Sequence, residues 1–161
     1  MKSLVVFESQ FGNTQSVAES IAEGLKQWGP VETAAVDNAP AVLDDDLDLL
    51  VVGGPTHTFS MSRPETRAAA VTDGAVGTTS GVRDWLDALP SPVPVPRVAL
   101  FSTRQGHSRL TGSAAKAAAK SLRHHGTPPE EVTDFFVTGK QGPLEPGERD
   151  RALAWGQSLG S

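Results

Sequence analysis

The fold of this chain is decided by the stretch Leu4-Val5-Val6-Phe7-Glu8-Ser9-Gln10-Phe11-Gly12-Asn13-Thr14, which runs directly into residues 15–28. Its first four residues form a continuous apolar run, which is typical of a strand buried on both faces of a parallel sheet. A short loop of hydroxyl and amide residues with one glycine follows, and apolar residues then recur at helical spacing from Val17 to Trp28. A strand, a tight loop and a helix in this order direct backbone N–H groups and a positive helix end at an anion in the loop.

The composition limits the kinds of protein that this chain can be. Its 161 residues suit one compact domain, so we expect residues 1–161 to form a single domain with a buried core. The chain has no cysteine, which excludes disulfides, thiolate metal sites, iron–sulfur clusters and cysteine nucleophiles. It shows neither a leader sequence nor an apolar run that could span a bilayer, and its net charge of −5 argues against nucleic-acid binding. We therefore expect a cytoplasmic protein that binds neither nucleic acid nor membrane.

Further strands and helices alternate along the chain. Apolar runs predict strands at residues 4–7, 31–36, 48–53, 97–101 and 132–137. Helical patterns predict helices at residues 15–28, 81–89, 111–125 and 146–159, with a brief helix or loop at 39–47 and an Ala-rich turn of helix followed by a loop at 65–80. Asn13 or Thr14 is expected to cap the first helix, and Gly126 is expected to end the helix predicted at residues 111–125. The three tryptophans are expected to pack in the core. This alternation calls for a parallel sheet that is covered by helices on both faces.

Three polar loops follow predicted strands and are expected to meet at one edge of the sheet. They comprise residues 9–14, 54–64 and 102–110. Open α/β sheets bind ligands outside the carboxyl ends of their strands, where the strand order reverses. The three loops are therefore the candidate ligand site.

The first loop suits a single phosphate monoester. It has neither the G-x-x-x-x-G-K-[ST] pattern of nucleoside triphosphate sites nor the G-x-G-x-x-G pattern of dinucleotide sites. It offers the side chains of Ser9, Asn13 and Thr14 together with several N–H groups. A simple helix cap would have a similar sequence, and this alternative stays open on the loop alone.

The loops together resemble those of the flavodoxin family. The segment Ser9-Gln10-Phe11-Gly12-Asn13-Thr14 resembles the family's phosphate loop, and Gly53-Gly54-Pro55-Thr56 resembles its second flavin loop. Residues 101–126 are similar to the span from the third loop to the fourth helix, and residues 136–139 with Trp155 are similar to the last strand and helix. The resemblance covers nearly the whole chain and is to the short-chain type. It implies an α/β, doubly wound, five-stranded parallel sheet of order 2-1-3-4-5 with helices on both faces, non-covalent FMN, and electron transfer without catalytic or metal-binding residues.

The resemblance also implies which residues bind the cofactor. The residues expected to contact the phosphate are Ser9, Gln10, Phe11, Gly12, Asn13 and Thr14. The residues expected to flank one face of the ring system are Pro55, Thr56, His57, Thr58 and Phe59. The residues expected to contact the pyrimidine edge and the other face are Ser102, Thr103, Arg104, Gln105, Gly106, His107 and Ser108.

This sequence departs from the family at the ring. The family usually stacks the ring between an aromatic residue, often Trp, and a Tyr, whereas this chain has no Tyr. Stacking is expected from His57, Phe59 or His107, and to be weaker than that of Trp and Tyr. The third loop also carries Arg104 and Arg109, and a cation near the pyrimidine edge would raise the flavin potential. We therefore expect weaker FMN binding and a less reducing flavin than in a typical flavodoxin.

Three functions remain open at this level. The first is an FMN-binding carrier that moves electrons between a flavin or Fe–S reductase and an acceptor enzyme. The second is a small FMN-dependent reductase or oxidase that acts on a quinone or porphyrinogen-like substrate, and the third is a flavodoxin fold that has lost FMN and acts as a binding module. The acidic run at residues 44–48 is predicted to be either a solvated turn or a docking patch for a basic partner.

Overall fold

The computed structural model describes residues 1–56, 61, 63–72, 81–108 and 112–161. Five parallel strands form one sheet in the order β2-β1-β3-β4-β5, which confirms the predicted α/β fold and strand order. The strands are β1 Ser3–Phe7, β2 Val31–Ala35, β3 Leu49–Pro55, β4 Arg97–Gln105 and β5 Glu131–Val137. The α-helices among the described residues are α1 Asn13–Leu25, α2 Pro64–Thr72, α3 Val82–Ala88, α4 Ala114–His124 and α5 Glu148–Leu159.

Two layers of helices cover the two faces of the sheet. Alternate residues of β1 show the division, because Val5 packs with α1 and α5 whereas Val6 packs with α3 and α4. The two helices of the first layer touch through glycines: a Cβ atom at Gly24 would overlap the Leu153 carbonyl, and one at Gly156 would overlap the Ile21 carbonyl. Strands buried on both faces account for the continuous apolar runs in the sequence. No helix in the described ranges is both long and apolar enough to cross a membrane.

The carboxyl edge of the sheet rises in steps from β1 to β4. The last residue of β1, Phe7, lies beside Gly53, and β3 continues two residues further to Pro55. Pro55 lies beside Thr103, and β4 continues two residues further to Gln105. Each step is two residues, or about 7 Å at the usual rise along a strand. The three predicted loops therefore leave the sheet at different heights along one edge.

The strand β4 is longer than predicted. Residues 102–105 were assigned to a loop because they are polar, but they pair with residues 134–137 of β5. Ser102 and Arg104 share a partner inside the fold: Ser102 Oγ donates a hydrogen bond to Asp134 Oδ1 (2.6 Å), and Arg104 Nε lies 3.2 Å from Asp134 Oδ2. A polar strand end stays buried here because one carboxylate accepts its hydrogen bonds.

The first helix also differs from its prediction at both ends. The residue that caps it is Gly12, with φ +87°, and neither Asn13 nor Thr14 caps it through a side chain. The α-helix ends at Leu25 and is followed by a 3₁₀ turn, Lys26–Trp28, whose tighter winding takes Trp28 off the buried face. Trp28 is 38% exposed, so its predicted place in the core is wrong, whereas Trp85 is buried. Gly126 follows α4 with φ +79° and ends it as predicted.

The acidic run lies at the amino edge of the sheet. Lys2 Nζ forms ion pairs with Asp44 (2.7 Å) and Asp46 (2.8 Å), and Asp48 accepts a hydrogen bond from the Lys2 backbone N–H. The hydrogen bond from Lys2 lowers the pKa of Asp46 against an opposing effect of desolvation. These contacts place the run at the end of the sheet opposite the three loops, where it is partly neutralised.

Candidate functional site

The first loop begins at Glu8 and ends where α1 starts. The Glu8 N–H donates to the Gly53 carbonyl (2.9 Å), which fixes the beginning of the loop against β3. At its other end Gly12 takes the left-handed conformation that favours glycine, with φ +87°. No described side chain caps α1, and its first turn contains no acidic residue. The positive end of this helix therefore faces the loop without a negative group of the protein at its first turn.

Two buried polar atoms of the first loop have no hydrogen-bond partner among the described residues. They are Ser9 Oγ and Gln10 Oε1. Buried polar atoms are nearly always paired in folded proteins, so these two atoms are candidates to bond a water, an ion or a ligand. The hydroxyl of Ser9 can donate to an anion, and the amide oxygen of Gln10 can accept from a hydroxyl group.

Glu8 is a buried charged residue that the sequence analysis did not assign to the site. Its side chain is 1% exposed; Oε1 accepts from the Val82 N–H (3.0 Å) and Oε2 accepts from Gln10 Nε2 (3.1 Å). The carboxylate thus joins the first loop to the start of α3. The sequence contained a signal for this role, because Glu8 directly follows a strand that is buried on both faces. A charge in such a place needs hydrogen-bond partners nearby.

The side chains of Asn13 and Thr14 are held by other parts of the fold. Asn13 Nδ2 donates to the Gln141 carbonyl (3.1 Å), and the hydroxyls of Thr14 and Thr103 are 2.8 Å apart. A Cβ atom at Gly142 would overlap the Asn13 side chain, so glycine allows this close approach. In this structure these two side chains hold the first loop by bonds to Gln141 and Thr103. The backbone N–H groups of the loop, and not these side chains, are therefore the candidate donors to a ligand.

The second loop is described only at its beginning. Thr56 donates its N–H to the Thr103 carbonyl (2.9 Å), and its Oγ1 accepts from the N–H of Ala114, the first residue of α4. Pro55 is the last residue of β3. The predicted ring contacts His57, Thr58 and Phe59 lie outside the described residues.

The third loop is shorter than predicted because its first four residues belong to β4. Ser102, Thr103 and Arg104 are buried, and Gln105, the last residue of the strand, is exposed. The loop proper starts at Gly106, His107 and Ser108, which are described, and continues through Arg109, which is not.

Arg104 lies beneath the third loop. Its Nη1 donates to the carbonyls of Ser108 (3.0 Å) and Gly112 (2.8 Å), and its Nε lies 3.2 Å from Asp134 Oδ2. The guanidinium is therefore buried and paired with a carboxylate. The effect of Arg104 on a flavin potential stays a prediction, and Asp134 offsets part of the positive field of its guanidinium.

His107 is held by β5 and the segment that follows it. Its ring stacks on Phe136 with 3.7 Å between centroids and 16° between planes, and its Nε2 is 2.9 Å from Glu145 Oε2. One face of the imidazole is thus covered by protein. Together with the Asn13–Gln141 hydrogen bond, this contact shows that residues 138–145 border both the first and the third loop, which the sequence analysis missed.

The described part of this edge suits anion binding. It brings together a helix start without a side-chain cap, a left-handed glycine and an unpaired hydroxyl at the first loop, and Arg104 holds the described part of the third loop. This donor set fits one phosphate group.

Comparison with known proteins agrees with this geometry. Residues 5–73 match the model of the flavodoxin family, a range that includes the first two loops of the candidate site, residues 9–14 and 54–64. No curated protein matches the chain in sequence.

Solved structures of similar fold cover almost the whole chain. A flavodoxin from the domain Archaea is 19% identical over 99% of this chain and 96% of its own, with a TM-score of 0.64. Oxidised flavodoxin 2 from Bacillus cereus is 17% identical over 97% and 95%, with a TM-score of 0.68. The two-electron reduced flavodoxin of Megasphaera elsdenii is 18% identical over 98% of each chain, with a TM-score of 0.62.

The family model matches residues 5–73, and flavodoxin structures share the fold over nearly the whole chain. The strand order of this chain, 2-1-3-4-5, agrees with both findings. The resemblance of this chain to the flavodoxin family is therefore confirmed.

Proposed function

We propose that this chain binds FMN non-covalently at the carboxyl edge of its sheet and carries electrons between a flavin or Fe–S reductase and an acceptor enzyme. The observation that carries the proposal is the first loop, where Ser9 Oγ is buried without a described partner beside a helix start that no side chain caps. The FMN phosphate supplies the negative charge and the acceptor oxygens that this loop lacks. A cytoplasmic location stays part of the proposal.

The residues of the chain have separate tasks in this proposal. Ser9 and the N–H groups of the loop bind the phosphate, while Gly12 provides the left-handed turn that aims those groups inward. Arg104 holds the described part of the third loop, which would contact the ring system of bound FMN. Bound FMN would supply the one- or two-electron chemistry, and the protein would supply its binding, orientation and tuning of potential.

Titration of the apoprotein with FMN tests the proposal. We expect quenching of flavin fluorescence and shifted absorbance bands with FMN, and much weaker changes with riboflavin, which has no phosphate. Ser9→Ala should weaken FMN binding about tenfold or more, because a hydrogen bond to a charged group contributes about 1.5–3 kcal/mol. The binding of riboflavin should change far less in this variant.

The chain offers a matched control for this substitution. Ser3 Oγ is also buried and unpaired among the described residues, but Ser3 begins β1 at the opposite edge of the sheet. Ser3→Ala should leave FMN binding unchanged. Equal losses in both variants, or equal affinities for FMN and riboflavin, would contradict the phosphate assignment.

Two further measurements separate the alternatives. Steady-state turnover of NAD(P)H with quinones by the FMN-loaded protein would indicate a reductase instead of a carrier. Failure of FMN to bind at any concentration would instead indicate a flavodoxin fold that acts as a binding module.

A further inference from the structure

Charge is distributed unevenly along this acidic chain. Residues 88–129 contain no aspartate or glutamate, although the chain has 19 of them. The same segment holds six of the 14 lysines and arginines and three of the four histidines. The segment includes β4, the third loop and α4, so positive charge is concentrated beside the candidate site.

The exposed face of α4 carries most of this charge. We define the basic face as Lys116, Lys120, Arg123 and His124, which are all exposed and lie within one side of the helix by their spacing. The opposite side is buried against the sheet by alanines and Leu122. Among the described residues none of the three cations of the basic face forms an ion pair, whereas Arg97 pairs with Glu130 and Arg104 with Asp134.

Helix stability does not explain half of the basic face. Arg123 and His124 lie in the last turn of α4, where the helix dipole favours positive charge. Lys116 lies in the first turn, where the dipole disfavours it, and it is four residues from Lys120, a spacing at which like charges repel. Two cations are therefore kept at positions where they weaken the helix.

The basic face begins at the rim of the candidate site. Ser113 caps α4 by accepting a hydrogen bond from the Lys116 N–H, and Thr56 of the second loop accepts from the Ala114 N–H. The 11 residues of α4 extend about 16 Å from this rim across one face of the molecule. A macromolecule seated on α4 would therefore also reach the loops.

We propose that the basic face of α4 is the docking surface for an electron-transfer protein with an acidic surface. Unpaired cations on an acidic molecule favour such a partner, because the acidic surface is drawn to this face and repelled by the rest of the chain. The small size of the face and the net charge of −5 make it a poor match for nucleic acid, which needs many phosphate contacts at once. The redox role of the partner rests on the proposed function, but the docking itself does not require bound FMN.

The test uses ¹⁵N-labelled protein, with and without FMN, and an acidic [2Fe–2S] ferredoxin as the probe. We expect paramagnetic broadening of the amide signals of α4 and of residues 104–108 at an ionic strength of about 0.01 M, where charges act over about 30 Å. The broadening should vanish at about 1 M salt, where that distance is about 3 Å. A basic cytochrome c should not broaden the signals of α4.

Two charge-reversal variants decide whether the position of the charges matters. K116E/K120E should weaken ferredoxin binding about tenfold or more. K26E/R149E changes the net charge by the same amount at exposed residues that belong to the α1–α5 side of the sheet, and it should bind ferredoxin within about twofold of the parent. Lys116→Glu alone should raise the thermal stability of the protein while it weakens binding, which a purely structural role for Lys116 would not produce.

Every outcome of this experiment has a clear meaning. Broadening outside α4 and residues 104–108, equal losses in the two variants, or equal and salt-sensitive binding of heparin to the same residues would overturn the proposal. Broadening of α4 in a protein that does not bind FMN would support docking while refuting the proposed electron carrier.

Discussion

Arg104 joins the core of the molecule to the third loop through hydrogen bonds. Its guanidinium donates to the carbonyls of Ser108 and Gly112 and pairs with Asp134, whose other oxygen accepts from two serines. The side chains of Arg104 and Asp134 are 7% and 12% exposed, so each charge depends on the other for its stability in a site with little water. Arginine suits this place because its planar fork bonds several acceptors at once.

Arg104→Ala should therefore lower the free energy of unfolding by roughly 3–5 kcal/mol, because Asp134 loses its cation in a buried site. Urea unfolding measures this loss. The double variant with Asp134→Asn should recover part of it, since no carboxylate is then left unpaired.

The exposed pair of Lys26 and Glu23 provides the comparison. Lys26→Ala should change stability by less than about 1 kcal/mol, as is usual for surface ion pairs. Additive effects of Arg104→Ala and Asp134→Asn would show that the two residues do not act together.

At the scale of elements, the contact between α1 and α5 sets how the first loop is held. Both helices lie on the same face of the sheet and approach each other closely at Gly24 and Gly156. Interiors are packed densely enough that an added methyl group must displace its neighbours. Because α1 carries the first loop at its start, a shift of this helix also moves the loop.

Gly156→Ala should lower the free energy of unfolding by about 1–3 kcal/mol, because its Cβ atom would overlap the Ile21 carbonyl. Thermal unfolding followed by circular dichroism measures the change. We also expect weaker FMN binding in this variant through the displacement of α1.

Gly139→Ala is the control for this substitution. The nearest atom to a Cβ at Gly139 is 3.8 Å away, so stability should change by less than about 0.5 kcal/mol. A Gly156→Ala variant as stable as this control would show that the helices can move apart without cost.

For the whole molecule, Glu148 connects the last helix to the last strand and makes the fold sensitive to acid. It accepts hydrogen bonds from the Phe136 N–H (2.7 Å) and from Arg151 Nε (2.8 Å). Burial acts to raise the pKa of Glu148, but the bonds from Arg151 and Phe136 outweigh it and lower the pKa below the ordinary value of 4.5. A lowered pKa in the folded state stabilises the protein above the unfolded pKa, and this stabilisation disappears as the pH falls through the folded value.

Glu148→Gln should cost about 1–3 kcal/mol of stability at neutral pH, because the charged acceptor is lost. The difference from the parent should shrink as the pH falls below 4.5, which unfolding curves at several pH values would show. Glu32→Gln, at an exposed position of β2, should leave the curve unchanged. A constant difference between Glu148→Gln and the parent at every pH would contradict the assignment.

The sequence was sufficient to predict the strands of the sheet because three of them, β1, β3 and β4, contain continuous apolar runs, and the strand order followed from the family resemblance. It was less informative about β4, since Ser102 and Arg104 acquire their partner, Asp134, only when β5 lies beside them. A single aspartate within the apolar alternation of β5 was the available signal for this pairing. The site was predicted as three loops, but the contribution of residues 138–145 depends on contacts between distant parts of the chain that no local pattern contains.

The contact of Asn13 with Gln141 has a consequence for the synthesis of the protein. These residues are 128 positions apart, and α1 also packs on Leu153 in the last helix. The first loop is among the earliest residues to leave the ribosome. Gln141 and the last helix, which hold the loop and α1, are translated near the end. The contacts that hold the first loop and α1 in place can therefore form only after Gln141 and Leu153 have been made.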